Sequence, residues 1–429
     1  MNIGVKRFVP LFLALILALS IWSPASAEER GIHYVVLGDS LAAGQTPYKK
    51  WENGYADYIA HFLYKKKQLA SYTKEFAVSG YTSGDLLKDI ETNKQRKTAT
   101  IQEEIATADI ITIQVGANDF LREAKFDYAN GKVTLDPEKI PSLLSQMEKN
   151  VTSTLQHITI MNPYAKVYVL GYYYPFAHMT NLEQERILRM MNSLLNSSLQ
   201  GTAANNGATY ISYDNLFDEH ASVFLPNQSD IHPSLKGYRL MSSQFLTQSG
   251  LGGLYRDVPQ SFWDASEIYY LAHNDILSGE TENEFMPNQT ITRAEAARAL
   301  FSGMTLDIGI TQEMPPDSGF KDVPQTHKDY YAIAKLTKAG VFNKSEYFYP
   351  DRPLTRAQMA KIFTLAFDLE PKQANSFKDV PASFWAKDYI HALSSNNVTT
   401  GYSDQTFKPN HFTTRAQFAA FLYRSIHIK

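Results

Sequence analysis

His33-Tyr34-Val35-Val36-Leu37-Gly38-Asp39-Ser40-Leu41 is the stretch on which the reading of this chain turns. Five mostly apolar residues of strand-favouring type run directly into Gly-Asp-Ser, so a buried strand delivers a hydroxyl to the turn at its carboxyl end. Three later segments hold what such a hydroxyl needs to become a nucleophile: Gly80, the run Gly116-Ala117-Asn118-Asp119, and Asp230-Ile231-His232-Pro233.

Further strand-like apolar runs follow at 75–78, 110–115, 167–170 and 208–211. Between them lie amphipathic stretches such as 140–161 and 183–199, and another helix is expected over about 234–248. This alternation predicts an α/β fold, a parallel sheet covered by helices on both faces, with ligands bound beyond the carboxyl ends of the strands. Ser40, Gly80 and Asn118 then follow the first, second and third strands and emerge on one edge of the sheet. The run Tyr172-Tyr173-Tyr174-Pro175-Phe176 follows the fourth and suits either a pocket wall or packing against a helix.

A serine hydroxyl attacks poorly until a base removes its proton, and a histidine, with an ordinary pKa near 6.5, does this at neutral pH. Attack on an ester carbonyl places charge on oxygen, which the backbone N–H groups of Ser40 and Gly80 and the Asn118 amide are suited to receive. Each residue also has a plainer role. Gly-Asp-Ser is a common turn, Asn118 and Asp119 suit a helix start, and His232-Pro233 suits another. Their order and placement together point to a serine esterase.

On these four blocks the chain resembles the GDSL esterases and lipases, the SGNH hydrolases, over roughly 31–248, with Ser40, Gly80, Asn118 and His232 at the block positions. The resemblance implies a flavodoxin-like three-layer α/β/α domain. It further implies an oxyanion hole from Ser40, Gly80 and Asn118 and ester hydrolysis through an acyl-enzyme, without a cofactor. The family's acid lies three residues before the histidine, where this chain has Ser229, while Asp230 lies two before. Either Asp230 orients His232 in a triad, or a backbone carbonyl holds the ring in a Ser-His dyad. Ala42 after Gly38-Asp39-Ser40-Leu41 leaves no G-x-S-x-G elbow, and the scattered histidines, without H-E-x-x-H spacing, imply no metal.

Residues 1–27 carry Lys6 and Arg7, an apolar stretch from Phe8 to about Trp22, and Ala25-Ser26-Ala27, the pattern of a cleavable signal peptide. The stretch is short for a membrane span and no later run matches it, so a secreted chain with no span after signal cleavage is expected. Loss of Lys6 and Arg7 leaves 39 basic against 44 acidic residues, which argues against nucleic acid as the main partner. There is no cysteine, so disulfides and thiolate metal sites are excluded. About 400 mature residues exceed what one core holds, and the division falls near Gly250-Leu251-Gly252-Gly253. A hydrolase domain is therefore expected over 28–250.

Beyond it the sequence repeats. Tyr255-Arg256-Asp257-Val258-Pro259, Phe320-Lys321-Asp322-Val323-Pro324 and Phe377-Lys378-Asp379-Val380-Pro381 open units of about 60 residues. Each unit reaches a second signature, Thr292-Arg293-Ala294-Glu295, Thr355-Arg356-Ala357-Gln358 or Thr414-Arg415-Ala416-Gln417. Thr with Glu or Gln three residues on is a capping box, and Met359, Ile362, Phe363 and Ala366 then recur at helical spacing. The arginine opposes the helix dipole, so it binds either an external anion or an internal carboxylate such as Asp257 or its counterparts.

These units resemble S-layer homology (SLH) modules, expected over 254–303, 317–369 and 374–429. The resemblance implies a mainly α-helical, three-lobed array that attaches the protein non-covalently to the secondary polysaccharide of a Gram-positive cell wall. Carried over, its candidate contacts are Asp257, Trp263 and Arg293, Asp322 and Arg356, and Asp379, Trp385 and Arg415. The second unit departs: His327 stands about where its neighbours have tryptophan, and Lys344 replaces Gly279 and Gly401. Two function classes follow. One is a wall-anchored esterase acting on lipid acyl esters or O-acetylated glycans; the other is a non-catalytic wall-binding protein with a degenerate hydrolase domain.

Overall fold

β1 (Ile32–Gly38) pairs in parallel with β2 (Leu69–Ala77) on one side and β3 (Ile110–Gln114) on the other, and β4 (Lys166–Leu170) and β5 (Thr209–Ile211) extend the sheet beyond β3. The resulting order, β2-β1-β3-β4-β5, is that of a flavodoxin-like sheet, and the strand order reverses between β1 and β3. This computed structural model describes residues 31–127, 132–179, 181–306, 317–372 and 377–428; the leader expected over 1–27 lies outside them.

β3 is buried along its whole length, as the apolar run at 110–115 predicts. β2 differs, because the apolar run at 75–78 marks only its end. Its first half, Leu-Ala-Ser-Tyr-Thr-Lys, is mostly polar and half exposed on the edge of the sheet, where alternation is not enforced by burial on both faces.

On one side α2 (Tyr55–Lys65) packs on α9 (Leu235–Ser249); on the other, α3 (Ser83–Glu91), α4 (Ile101–Thr107) and α7 (Leu182–Asn205) pack on α6 (Ile140–Met161). Short helices α1 (Ser40–Ala43), α5 (Ala117–Leu121) and α8 (Ala221–Phe224) carry or flank the loops at the carboxyl edge. A hairpin of Lys125–Asp127 and Lys132–Thr134 projects after α5.

The repeats give three helix pairs: α10 (Ala265–His273) with α11 (Arg293–Met304), α12 (Tyr330–Lys338) with α13 (Arg356–Ala366), and α14 (Lys387–Ser395) with α15 (Arg415–Ile426). Thr292, Thr355 and Thr414 each close the predicted capping box. Helices α11, α13 and α15 meet in the middle, and each also packs on the first helix of the following pair, α11 on α12, α13 on α14 and α15 on α10. The last contact closes the ring. The α/β domain sits on it through α9: Lys236 Nζ donates to Ile426 O at 2.7 Å, and Arg239 reaches Asn274 Oδ1 at 3.2 Å and Leu306 O at 3.0 Å. Among the described residues no helix is long and apolar enough to cross a membrane.

Candidate active site

Ser40 opens α1 directly after β1, and Gly38 makes that turn possible. Its φ is +141°, and a Cβ there would stand 2.1 Å from Gln114 O, so no side chain fits. Asp39 caps α1 by accepting the Leu41 N–H at 2.9 Å, and its other oxygen accepts the Tyr172 hydroxyl at 2.7 Å. Burial pushes the Asp39 carboxyl up to about 6, against the pull of these hydrogen bonds.

His232 Nε2 lies 2.8 Å from Ser40 Oγ, and both residues are buried. On the far side of the ring Nδ1 lies 2.6 Å from Asp230 Oδ1, an oxygen that also accepts the backbone N–H of His232 at 2.9 Å. The two-residue spacing is therefore an Asx turn: the carboxylate bonds the peptide two residues on and meets the imidazole of that same residue. A carboxylate only accepts, so Nδ1 carries the proton and Nε2 keeps a lone pair for the serine hydroxyl. The partner of Nδ1 is Asp230, not a backbone carbonyl. Tyr173 fastens this loop by donating its hydroxyl to Ile231 O at 2.6 Å.

Gly80 and Asn118 belong to neighbouring loops. Gly80 has φ +78° with open space where a Cβ would lie, so glycine answers a conformational need rather than a steric one. Arg122 holds its carbonyl at 2.6 Å, while among the described residues its N–H has no acceptor. Asn118 Nδ2 donates to Tyr81 O at 2.9 Å, which fixes the amide and leaves its second hydrogen for another acceptor. Asp119 links the same loops, accepting the Ser83 N–H at 2.8 Å and the Ser83 hydroxyl at 2.5 Å; burial raises its pKa.

Ser40 opens into a cavity of about 110 Å³ whose walls include Leu41, Phe120, Leu135, Phe176, Leu188 and Leu195. Of the aromatic run, Tyr172, Tyr173, Pro175 and Phe176 line it, whereas Tyr174 stacks under Arg189 at 4.0 Å. Sequence reasoning missed Asp39, Asp119 and Asn196, whose side chain brackets the Tyr172 peptide by accepting its N–H at 2.8 Å and donating to its carbonyl at 2.7 Å. Asp39 beside Ser40 and Asp119 beside Asn118 carried a signal by adjacency, and Asn196 carried none.

In the repeats, the carboxylates and arginines grip a shared loop. Asp257 accepts the N–H groups of Phe285 and Met286 at 2.9 and 2.7 Å, Asp322 those of Phe348 and Tyr349 at 2.7 Å each, and Asp379 those of Phe407 and Lys408 at 2.8 and 2.7 Å. The carbonyls of the same phenylalanines accept from the arginine of the preceding unit around the ring. Arg415 Nε reaches Phe285 O at 2.9 Å, Arg293 Nε reaches Phe348 O at 2.8 Å, and Arg356 Nε reaches Phe407 O at 2.7 Å. Arg415 also pairs with Glu280 and Glu295, each at 2.7 Å, and donates to Ser278 O at 2.6 Å. The arginines thus lie across a peptide from Asp257 and its counterparts, without touching them. The terminal nitrogens of Arg293 have no acceptor among the described residues.

Trp263 and Trp385 are 59% and 56% exposed just ahead of α10 and α14. One expectation needs correcting. The turn N–H of Tyr330 bonds His327 O as Ala265 bonds Phe262 O and Lys387 bonds Phe384 O, so His327 corresponds to those phenylalanines and Lys328 takes the tryptophan place.

Residues 36–240 match the GDSL-like Lipase/Acylhydrolase family, and residues 254–297, 319–360 and 376–419 match the S-layer homology domain. The S-layer protein sap of Bacillus anthracis is 29% identical over 181 residues, 41% of this chain and 21% of that protein. A cellulosome-anchoring protein of Acetivibrio thermocellus is 29% identical over 183 residues, 40% of this chain and 38% of its own length. This chain therefore spans about a fifth of the first of these relatives and under half of the second. Among solved structures, lipase Lip_vut3 from a goat rumen metagenome is 22% identical with a TM-score of 0.40, covering 50% of this chain and 96% of its own. Axe2, an acetylxylan esterase of Geobacillus stearothermophilus, is 17% identical with a TM-score of 0.37, covering 51% and 94%.

Proposed function

Given that the chain joins a GDSL-like lipase/acylhydrolase domain to three S-layer homology domains of the bacterial cell surface, we propose that it is a serine esterase retained at the wall where its substrate is met. The observation that carries this is the hydrogen-bonded line Ser40 Oγ, His232 Nε2, His232 Nδ1, Asp230 Oδ1. In this reading residues 1–27 are a signal peptide, 28–250 the hydrolase, and 254–303, 317–369 and 374–429 the modules, which hold the secondary polysaccharide of a Gram-positive wall through contacts including Trp263, Trp385 and Arg293.

The hydrogen-bonded line supports the following steps in this reading. Ser40 Oγ bonds to the ester carbonyl carbon as its proton passes to His232 Nε2, and the carbonyl electron pair moves onto oxygen. The N–H groups of Ser40 and Gly80 and the free hydrogen of the Asn118 amide receive that charge. Collapse breaks the bond to the alcohol oxygen, which leaves with the proton from His232. Water then repeats the sequence on the acyl-enzyme, releasing the acid and restoring Ser40. Asp230 keeps the ring in the required tautomer and stabilises the imidazolium.

The test is hydrolysis of p-nitrophenyl esters by the mature protein, with Ser40→Ala as control, combined with co-sedimentation with purified walls. Ser40-dependent turnover with wall retention is expected. Wall binding without Ser40-dependent turnover on any ester would leave the non-catalytic reading.

A further inference from the structure

Helix α7 carries two apolar stripes where the core uses one. Leu188, Met191 and Leu195 recur at helical spacing and line the cavity at Ser40, with Leu188 and Leu195 buried. One residue round the helix, Ile187, Met190 and Leu194 recur at the same spacing and are 41%, 52% and 43% exposed. Folding alone gives no reason to leave this second stripe in water.

Its first two members border a groove of about 480 Å³, closed on the opposite side by Val133, Leu135 and Ile140. Val133, Leu135, Leu188 and Met191 line both this groove and the cavity at Ser40, so the two spaces share a wall. The side-chain amide of Gln184 bonds Val133 O and fastens the hairpin to α7 along this wall. The inner cavity, about 110 Å³, is smaller than the roughly 150 Å³ that takes up a benzene-sized molecule, so an acyl chain of about six carbons or more must leave it.

We propose that the groove between the hairpin and α7 holds the distal part of the substrate's acyl chain, which makes long-chain acyl esters, rather than acetyl esters, the substrate class. This rests on the esterase reading. The occupant follows from continuity: a group lying in a groove that shares its walls with the pocket at Ser40 is one attached to the reacting carbonyl. Walls that are apolar apart from Lys132, Thr134, Asn181, Glu183 and Gln184 favour methylenes, each worth about 0.8 kcal/mol when removed from water.

The experiment measures kcat/KM of the mature protein on p-nitrophenyl esters from acetate to palmitate, comparing Ile187→Lys/Met190→Lys with Leu194→Lys. The second variant places charge on the same stripe outside the groove. Expected are a wild-type preference for long chains and a drop of about tenfold on palmitate in the double variant, with acetate turnover kept and Leu194→Lys unchanged on both. Wild-type turnover confined to acetate and butyrate would overturn the proposal and leave the esterase standing. So would equal losses on short and long chains, or equal losses in the two variants. Absence of Ser40-dependent hydrolysis on every ester would overturn the esterase reading and this proposal with it.

Discussion

The hydrolase half and the repeated half both bury polar side chains, and they satisfy them differently. Around Ser40 the buried groups occur once each and bond one another: His232 to Ser40, Asp230 to His232, Tyr172 to Asp39. In the repeats the signature carboxylates and arginines recur three times and bond the main chain, as Asp257, Asp322 and Asp379 do with paired N–H groups and the arginines do with phenylalanine carbonyls. Side chains bonded to side chains leave atoms that a substrate can engage. Side chains whose polar atoms are all bonded to backbone are occupied in holding the fold. Recurrence of a polar residue is thus, in this molecule, first a sign of architecture.

Substitutions can break that contrast. The largest effect is expected from Ser40→Ala, a loss of kcat/KM on any ester substrate of about ten-thousand-fold or more, with the thermal transition unmoved. Arg415→Ala should do the reverse. It strands Glu280, Glu295 and two carbonyls, so calorimetry should show the array destabilised by about 3–5 kcal/mol while ester turnover persists. Arg293→Ala, with its terminal nitrogens uncommitted, should instead weaken sedimentation with walls more than it lowers stability; equal destabilisation by both would contradict the distinction.

Asn118→Ala should lower kcat by about a hundred- to a thousand-fold with little change in KM, as for a donor used mainly in the transition state. A smaller effect is expected at the residue before each outer helix. Asp329 is paired there with Arg298 at 2.8 Å, Ala386 is apolar, and Asp264 is buried with neither carboxylate oxygen partnered among the described residues. Burial, reinforced by Glu267, pushes Asp264 up to about 8. A carboxyl raised in the folded state contributes stability at low pH that is lost as pH rises through its folded value. The wild type should therefore lose stability relative to Asp264→Ala as pH rises between about pH 4 and pH 8. Parallel melting curves for the two across that range would sink the assignment.

Much of this was legible beforehand because the informative residues sit where physics constrains sequence most. Ser40 follows a strand that must be apolar, and Gly38 occupies a position where a Cβ would strike Gln114 O, so both leave a mark in the sequence. The Thr292, Thr355 and Thr414 boxes are local and could be read from spacing alone. The first half of β2 could not, since an edge strand need not alternate. Nor could the bond from Tyr172 to Asp39, which spans 133 residues, or the groove along α7, whose roof comes from a separate hairpin. The place of Lys328 was legible, since it stands six residues after Asp322 as Trp263 and Trp385 do after Asp257 and Asp379, and the turn hydrogen bonds agree.

The closure of Arg415 onto Phe285 spans 130 residues of sequence. A chain that emerges amino end first, from a ribosome or an export channel, exposes the Phe285 loop well before its cation arrives. Until then Glu280 and Glu295 face one another without that charge between them. Helix α15 brings the arginine, and it also carries the Ile426 carbonyl that receives Lys236 from the hydrolase. Contacts between residues this far apart in sequence carry a loop-closure cost before they are rewarded. A polypeptide cut short before α15 lacks both the Arg415 fastening of the ring and the contact from Lys236 that ties the α/β domain to it.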